Sequence, residues 1–180
     1  MDIVKGFNVV WLSLTHNCNN NCSWCYSNSN REIEKEKNLI WEHEDELVEL
    51  FSDLHVKRII LIGGEPTLYP DLPEFVGKIS QKQIIPGIVS NGRRLKHRSF
   101  CKELKKNGLN SASISIEGYD QNSHEAITQI EGSYRETIQG LRTAIETGLK
   151  VSTNTVIGKN NIHSLEWIVD SLSQEGVDSL

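Results

Sequence analysis

Several features that would assign the chain to a familiar class are missing from its sequence. No apolar run approaches the ~20 residues that a membrane-spanning helix needs. The first six residues lack the charged-then-apolar pattern of a signal peptide. The formal net charge of −5 argues against the basic face of a general nucleic-acid binder. We therefore expect a cytoplasmic protein that contacts neither membrane nor nucleic acid.

Repeats, low-complexity segments and interdomain linkers are also absent from the sequence. The chain has 180 residues, of which 37% are hydrophobic and 24% are charged, the composition of an ordinary globular protein. A chain of this length is long enough to bury a core of its own. The sequence therefore predicts a single domain over residues 1–180.

Cysteine is scarce, yet three of the four cysteines lie within eight residues. Cys18, Cys22 and Cys25 have the spacing C-x-x-x-C-x-x-C in a stretch rich in Asn and Ser, residues that tolerate the turns of a tightly wrapped loop. Simple electron carriers hold a [4Fe–4S] cluster by four cysteines. Three thiolates leave one iron open to another molecule. The spacing therefore predicts a cluster that takes part in chemistry as well as carrying an electron.

Two other interpretations of these cysteines stay open. A zinc site prefers four ligands, and the fourth would have to be His16, His43 or the distant Cys101. A disulfide framework requires a secreted protein, which nothing in the sequence indicates. Cys101 itself follows Phe100 and precedes Leu104 at helical spacing, after a predicted cap at Ser99. We expect Cys101 to be a core residue and not a ligand.

Strand-like and helix-like segments alternate along the chain, the pattern of a parallel sheet with crossover helices. Strands are predicted over residues 9–15, 57–62, 87–90, 111–116 and 151–157, with helices near residues 47–54, 72–79, 100–104, 133–145 and 165–172. The helix near residue 133 begins with a predicted capping box from Ser133 to Glu136. Residues 177–180 have the pattern of an opening sixth strand. The sequence thus predicts about five βα units and the start of a sixth.

Around its cysteines the chain resembles the radical S-adenosylmethionine (SAM) enzymes, whose hallmark is C-x-x-x-C-x-aromatic-C. Trp24 occupies the aromatic position. The resemblance implies an α/β fold, a partial (β/α)6 TIM-like barrel that stops at the start of the sixth strand, without the C-terminal module that relatives usually carry. It also implies a [4Fe–4S] cluster on Cys18, Cys22 and Cys25 and S-adenosyl-L-methionine as the second cofactor.

The same resemblance implies a reaction. SAM chelates the open iron through its amino and carboxylate groups, and an electron from the reduced cluster breaks the C5′–S bond. The resulting 5′-deoxyadenosyl radical abstracts a hydrogen from the substrate. A reductant such as flavodoxin or ferredoxin is the expected partner. The substrate is expected to be a peptide or a small molecule, because the subgroup with the most similar segments includes peptide-modifying enzymes, sulfatase maturases and molybdopterin-synthesis enzymes.

A turn of two glycines, Gly63-Gly64-Glu65-Pro66, directly follows the second predicted strand. Glycines at a strand end let a ligand approach the backbone closely, and carbonyl groups and the Glu65 carboxylate suit an ammonium group. The tetrapeptide matches the radical SAM motif that holds the amino group of SAM. We therefore assign these four residues to cofactor binding.

Further cofactor-binding residues are expected at the ends of the other strands. Ser113 and Ser115 alternate with apolar residues and lead to Glu117 in a segment similar to the family's S-hydrophobic-D-G, which lies near the SAM ribose and carboxylate. Asn91 belongs to a polar tripeptide that relatives carry near the cofactor or substrate. Asn154 is poorly suited to a strand and is expected to form hydrogen bonds inside the barrel, near the methionyl group of SAM. Residues 156–158 resemble the adenine-contacting strand.

Other polar and aromatic residues receive weaker interpretations. Relatives often place an Arg near Thr128 to neutralise the SAM carboxylate, and Arg135 is the candidate replacement. Two interpretations are open for the seven Lys or Arg residues from Arg93 to Lys106: contact with an anionic substrate or partner, or a solvated helix face, which we favour. Packing roles are expected for Trp11, Trp41 and Trp167.

Two alternatives to an enzyme remain at this point. One is a non-catalytic iron–sulfur or zinc module for binding or electron transfer, although such a module needs no ammonium site. The other is a degenerate core that acts as a partner subunit.

Overall fold

A computed structural model of the chain describes residues 6–26, 42–177 and 179. It contains five strands and six α-helices in the order β1 (Val9–Ser13), α1 (Glu44–Asp53), β2 (Arg58–Ile62), α2 (Leu72–Gln81), β3 (Ile85–Ser90), α3 (Arg98–Lys106), β4 (Ser111–Ser115), α4 (Gln121–Thr128), α5 (Ser133–Glu146), β5 (Lys150–Asn154) and α6 (Leu165–Ser173). Short 3-10 turns follow β2, β3 and β5. The prediction for Trp41 lies outside the described residues.

The five strands form one parallel sheet in the order of the sequence, β1-β2-β3-β4-β5. After α6 the chain returns to the sheet, where Ser179 forms a parallel bridge with Ser152 of β5 and its carbonyl accepts a hydrogen bond from Thr153. The predicted sixth strand therefore begins where a barrel requires it. The α/β class and the open, partial (β/α)6 barrel are confirmed.

The core lies between the outer face of the sheet and the helices. Alternate strand residues such as Ile59, Leu61, Ile88 and Ile114 are at most 2% exposed there. Cys101 belongs to the same core, as predicted: it is fully buried in α3, where its thiol lies 3.1 Å from Thr147 Oγ1 and burial raises its pKa. The inner face of the sheet is left for the site.

Two predicted helix starts were wrong. Helix α5 is capped by Gly132, and the Ser133 hydroxyl is hydrogen-bonded to Thr128 Oγ1 at 2.7 Å instead of to the backbone of its own first turn. The side chain that should close the box, Glu136, binds cations from another part of the chain. Helix α3 begins after His97 rather than at Ser99.

The capping box of the chain belongs to a helix that the periodicity did not predict. At the start of α4, the Asp120 carboxylate accepts a hydrogen bond from the Ser123 backbone amide at 2.8 Å. The Ser123 hydroxyl in turn accepts a hydrogen bond from the Asp120 backbone amide at 3.2 Å. Helix α4 is only eight residues long and has few apolar residues, so its hydrophobic pattern is weak. It packs beside the cysteine loop and carries part of the site.

Candidate active site

A cavity of about 400 Å³ opens at the carboxyl ends of the strands, between the sheet and the cysteine loop. Sites in folds of this kind form at this edge, because the loops that follow parallel strands meet there. The cavity brings together most of the residues predicted from the sequence: Cys18, Cys22, Cys25, Gly63, Gly64, Glu65, Asn91, Ser115, Glu117 and Asn154. Pro66 is buried at the start of a 3-10 turn behind it, and Ser113 contributes through Asn154.

The two glycines bring the cysteine loop against β2. A Cβ atom on Gly63 would lie 2.3 Å from the carbonyl oxygen of Thr15, and one on Gly64 would lie 2.3 Å from that of His16. The Gly64 amide donates to the Thr15 carbonyl at 2.6 Å, and the Glu65 amide donates to the Asn17 carbonyl at 2.7 Å. Gly63 also has a φ of 142°, which other residues rarely adopt. The glycines are therefore needed for the approach of two backbone segments, a reason that the sequence alone did not reveal.

The Glu65 carboxylate is buried and is engaged by protein groups. One oxygen accepts hydrogen bonds from the Thr67 amide at 3.0 Å, the Thr67 hydroxyl at 2.6 Å and the Ser90 hydroxyl at 2.7 Å. The other accepts from the Asn91 amide at 2.7 Å. Burial raises the pKa of Glu65, and these hydrogen bonds oppose that rise. The carboxylate thus joins the ends of β2 and β3, and both of its oxygens already accept hydrogen bonds from protein groups.

The cysteine loop is anchored on one side by the segment that follows β3. Arg93 donates to Glu136 Oε2 at 2.6 Å, to Asn20 Oδ1 at 3.0 Å and to the Asn19 carbonyl. Asn91 donates from its side-chain amide to Asn19 Oδ1 at 2.6 Å. The prediction that Arg93 lies on a solvated face is wrong: only 14% of its side chain is exposed. The signal that would have found it is its position two residues after Asn91.

The other side of the loop is anchored by α4. The backbone amides of Asn21 and Ser23 donate to the carbonyls of Thr128 and Ile127, both at 2.9 Å. Within the loop, the Asn20 amide lies 3.3 Å from the sulfur of Cys18. Amides that point at a thiolate stabilise its negative charge, which suits a ligand of iron. The loop residues are thus held in place by hydrogen bonds from both sides.

The donor set fits a cluster bound by three cysteines. Each thiol is partly exposed at the same cavity wall, and none of the four cysteines forms a disulfide. Among the described residues, no three thiol, imidazole or carboxylate side chains are gathered closely enough to hold one metal ion. A cubane is bound through three different irons, so its cysteines are spread more widely than the ligands of a single ion.

The inner faces of β4 and β5 are joined by an amide. Asn154 donates from Nδ2 to the Ser113 hydroxyl at 3.0 Å and accepts from the Ser115 hydroxyl at 2.9 Å. This confirms the expectation that Asn154 forms hydrogen bonds inside the barrel. The Asn154 and Ser115 side chains line the cavity.

Glu117 and Glu65 are the two acidic residues among those that line the cavity. Glu117 is 2% exposed and accepts a hydrogen bond from the Val156 amide at 3.1 Å, and burial raises its pKa to about 7. Its own amide donates to Nδ1 of the buried His124 at 3.1 Å. Burial lowers the pKa of His124 to about 4, so this imidazole is neutral at pH 7 and accepts at Nδ1.

Two expectations about neighbouring residues need correction. Arg135 is exposed on α5 and does not line the cavity, so it is not placed to replace the missing Arg. Thr128 does line the cavity and is bonded to Ser133. Trp11 is not a packing residue: it is 62% exposed and forms part of the cavity wall. Trp167 packs on the surface against Tyr119, as expected, with ring centroids 5.3 Å apart.

Residues 12–172 match the family model described as the Radical SAM superfamily. The chain belongs to this superfamily. Radical SAM proteins use a [4Fe–4S] cluster and SAM, so the two predicted cofactors are those of the family. None of the helices among the described residues is long and apolar enough to cross a membrane.

Curated relatives of this radical SAM chain carry out different reactions. The Fe-coproporphyrin III synthase of Methanosarcina barkeri is 31% identical over 169 residues, which cover 94% of this chain and 41% of that protein. The GTP 3',8-cyclase of Tolumonas auensis is 31% identical over 177 residues, which cover 96% of this chain and 52% of that protein. The chain thus spans about half the length of these relatives.

Solved structures share the fold at lower identity. SuiB of Streptococcus suis, bound to its precursor peptide SuiA, superposes with a TM-score of 0.80 at 20% identity over 97% of this chain and 38% of that one. The protein anSMEcpe with bound AdoMet gives a TM-score of 0.78 at 16% identity over 97% of this chain and 51% of that one. The likeness to these structures concerns the fold.

Proposed function

We propose that the chain is the core of an enzyme that cleaves SAM reductively and abstracts a hydrogen atom from a substrate. The observation that carries the proposal is the backbone contact between the cysteine loop and the Gly63–Glu65 turn, in which the amides of Gly64 and Glu65 donate to the carbonyls of Thr15 and Asn17. A cluster on the loop and an ammonium group on the turn would then share one cavity wall. A protein that only carries electrons needs a cluster but no ammonium site beside it.

Each group of residues has a distinct task in this proposal. Cys18, Cys22 and Cys25 hold the cluster, and the carbonyls of Gly63, Gly64 and Glu65 hold the amino group of SAM. When bound, the cluster and SAM supply an electron, a weak carbon–sulfur bond and a radical that abstracts hydrogen. Pro66 fixes the extended backbone of Glu65, whose φ is −139° and ψ 104°.

The remaining polar residues orient SAM at the strand ends. Asn91 lies next to the loop, and its amide nitrogen is 3.9 Å from the Cys18 sulfur. Asn154, supported by Ser113 and Ser115, presents an amide to the methionyl or ribose part of SAM. Glu117 provides a carboxyl group on the same wall, where a cationic ligand would favour its ionised form. The exposed side chains of Val156 and Ile157 offer an apolar edge for adenine.

Relatives and neighbours support a small set of substrate classes for the proposed reaction. The names of those proteins indicate a nucleotide, a porphyrin and a peptide. We propose a peptide or small molecule as the substrate and a flavodoxin or ferredoxin as the reductant.

The proposal is tested by anaerobic reconstitution with iron and sulfide, followed by a chemical reductant and SAM. We expect about four irons and four sulfides per chain and the formation of 5′-deoxyadenosine and methionine. Stoichiometric zinc without labile sulfide would contradict the cluster assignment. A reduced cluster that binds SAM and never cleaves it would favour a degenerate partner subunit.

A further inference from the structure

The inner face of the sheet differs from the outer face along its whole length. Outer residues are covered by helices, whereas inner residues such as Val9, Trp11 and Ile85 are 46%, 62% and 45% exposed. The half of this face near the carboxyl ends belongs to the site already described. The half near the amino ends is apolar on β1 to β3 apart from one guanidinium group, and polar on β4 and β5, where Ser111 is aligned with the exposed Lys150.

Arg58, the first residue of β2, carries that guanidinium. It is partly buried and donates to the Ser111 hydroxyl at 2.5 Å. Arg58 takes part in none of the ion pairs between described residues. A hydroxyl group accepts a hydrogen bond but does not neutralise a charge. A partly buried charge is costly unless it is paired, and none of the described acidic residues pairs with this one, so the arrangement suits an anionic ligand.

The register of the strands shows where the guanidinium lies. Arg58 is aligned with Ile85, whereas Ser111 is aligned with Gly87, two residues farther toward the carboxyl ends. The arginine side chain therefore reaches forward over Gly87. A Cβ atom on Gly87 would lie 3.4 Å from the terminal nitrogen of Arg58 and 2.9 Å from Ser111 Oγ. The absence of a side chain at Gly87 leaves the room that the guanidinium uses.

The same register places the guanidinium level with Trp11. Trp11 is aligned with Ile60, Ile60 with Gly87, and Gly87 with Ser111. Neighbouring strands are about 4.8 Å apart, so about 10 Å separates the backbone of Trp11 from that of Gly87. Trp11 also lines the cavity of the proposed active site. An exposed indole and a guanidinium thus flank the apolar Ile60 side chain. Together they form a floor two residues nearer the amino ends of the strands than Ile62 and Val89, which line the cavity.

We propose that Arg58 and Ser111 bind an anionic group of the substrate, a phosphate or a carboxylate, while an apolar or ring portion of that substrate lies on Trp11 and Ile60. The planar fork of an arginine donates two parallel hydrogen bonds to either group. From Ile60 to Gly63 the strand rises about 10 Å, so a substrate anchored at this floor extends toward the SAM cleft. The inference rests on the proposed function, because it names the class of substrate for that reaction.

The test uses the 180-residue chain and three fluorinated probes followed by fluorine NMR: 4-fluorophenyl phosphate, 4-fluorobenzoate and the neutral 4-fluorophenol. R58Q should weaken binding of the two anions at least tenfold and leave that of the phenol within twofold. S111A keeps the charge and removes the hydroxyl that orients it, so a loss smaller than that of R58Q is expected. The preferred anion of the wild-type chain distinguishes a phosphate-bearing from a carboxylate-bearing substrate.

R142Q is the matched control, because Arg142 is an exposed arginine of α5, paired with Glu175. It removes the same charge elsewhere and should leave all three affinities unchanged. Equal binding of the anions by R58Q and wild type, or equal losses in R58Q and R142Q, would overturn the inference. If R58Q does not fold, R58K and S111A decide the question, since both keep the charge and alter its geometry. The titrations contain neither SAM nor reductant, so their failure is separate from a failure of SAM cleavage.

Discussion

The side-chain amide of Asn91 donates to Asn19 Oδ1 at 2.6 Å and so connects the end of β3 to the cysteine loop. The backbone amide of the same Asn91 donates to the Glu65 carboxylate at 2.7 Å. One residue therefore links the predicted cluster loop with the turn predicted to hold SAM. Its neighbour Arg93 extends the link to α5 through Glu136. These contacts provide the basis for several predictions.

Replacing any one of Cys18, Cys22 and Cys25 by Ala should abolish the visible absorption of the reconstituted cluster, because each thiolate is expected to bind a different iron. The measurement is iron and labile sulfide per chain after anaerobic reconstitution. Cys101→Ala is the control, since Cys101 lies in the core away from the loop. Loss of the chromophore in a folded Cys101 variant would contradict the assignment of the ligands.

Replacing Arg93 by Gln should loosen the cysteine loop without removing a ligand. The variant loses hydrogen bonds to Glu136, Asn20 and the Asn19 carbonyl. We expect faster amide hydrogen exchange in residues 18–25 of the apoprotein, a shifted EPR spectrum of the cluster, and a loss of stability of about 1–3 kcal/mol. R98Q removes an arginine from the same basic stretch that forms only an exposed pair with Glu146. If both variants behave alike, Arg93 has no specific role.

Replacing Gly64 by Ala should disturb the junction between the loop and β2. The new methyl group would lie 2.3 Å from the His16 carbonyl oxygen, so backbone atoms must move. We expect a loss of about 1–3 kcal/mol in the free energy of unfolding, the usual cost of overpacking, together with poorer cluster retention. Urea unfolding measures the first effect. Gly158→Ala is the matched control because no atom lies within 4 Å of its added Cβ.

Replacing Glu65 by Ala should weaken SAM binding indirectly. The substitution removes the acceptor for Thr67, Ser90 and Asn91, so the turn is expected to lose its position relative to the end of β3. We expect a retained cluster and SAM affinity lowered by roughly 1.5–3 kcal/mol, the range for hydrogen bonds to a charged group. The perturbation of the cluster's EPR spectrum by SAM measures this affinity. Unchanged affinity would count against the assigned role of the turn.

The contributions of Glu117 and His124 to the free energy of unfolding should change in opposite directions as the pH rises. The pKa of Glu117 is raised to about 7, so its contribution is complete below the unfolded value near 4.5 and is lost as the pH rises toward 7. The pKa of His124 is lowered from 6.5 to about 4, so its contribution is present above 6.5 and is lost as the pH falls toward 4. The two slopes oppose each other between about pH 4.5 and 6.5.

Replacing Glu117 by Gln leaves only the contribution of His124 to the pH dependence of the free energy of unfolding. We expect the free energy of unfolding of E117Q to rise from pH 4.5 to 6.5, relative to wild type, by up to about 1.4 kcal/mol per pH unit. SAM affinity in the wild type should increase as the pH passes 7, because a cationic ligand favours the ionised carboxylate, and this increase should be absent in E117Q. Chemical denaturation at several pH values and SAM titrations supply both tests. Parallel profiles for the two proteins would show that Glu117 does not titrate in this range.

Much of the chain's organisation was determined by local sequence. The order of strands and helices follows from period-2 and period-3.6 patterns, which local backbone geometry imposes. The spacing of Cys18, Cys22 and Cys25 and the Gly63–Pro66 turn are also local, because ligands within eight residues and a turn of four need no distant partner to be recognised. Asn154 could be interpreted for a similar reason: an amide among β-branched residues requires a hydrogen-bonding partner.

Contacts between distant segments were decided only by the tertiary structure. The cap at Gly132 replaced the predicted box because Ser133 and Glu136 found partners at Thr128 and Arg93, and a side chain that binds elsewhere cannot cap its own helix. Arg93 looked like part of a solvated run, and its burial follows from α5 packing against the turn after β3. The position of Trp11 in a strand predicted a packing role, but Trp11 lies on the inner face of the sheet, which is open. The sequence determines which side chains alternate, but only the packing of the helices against one face of the sheet decides which face is covered.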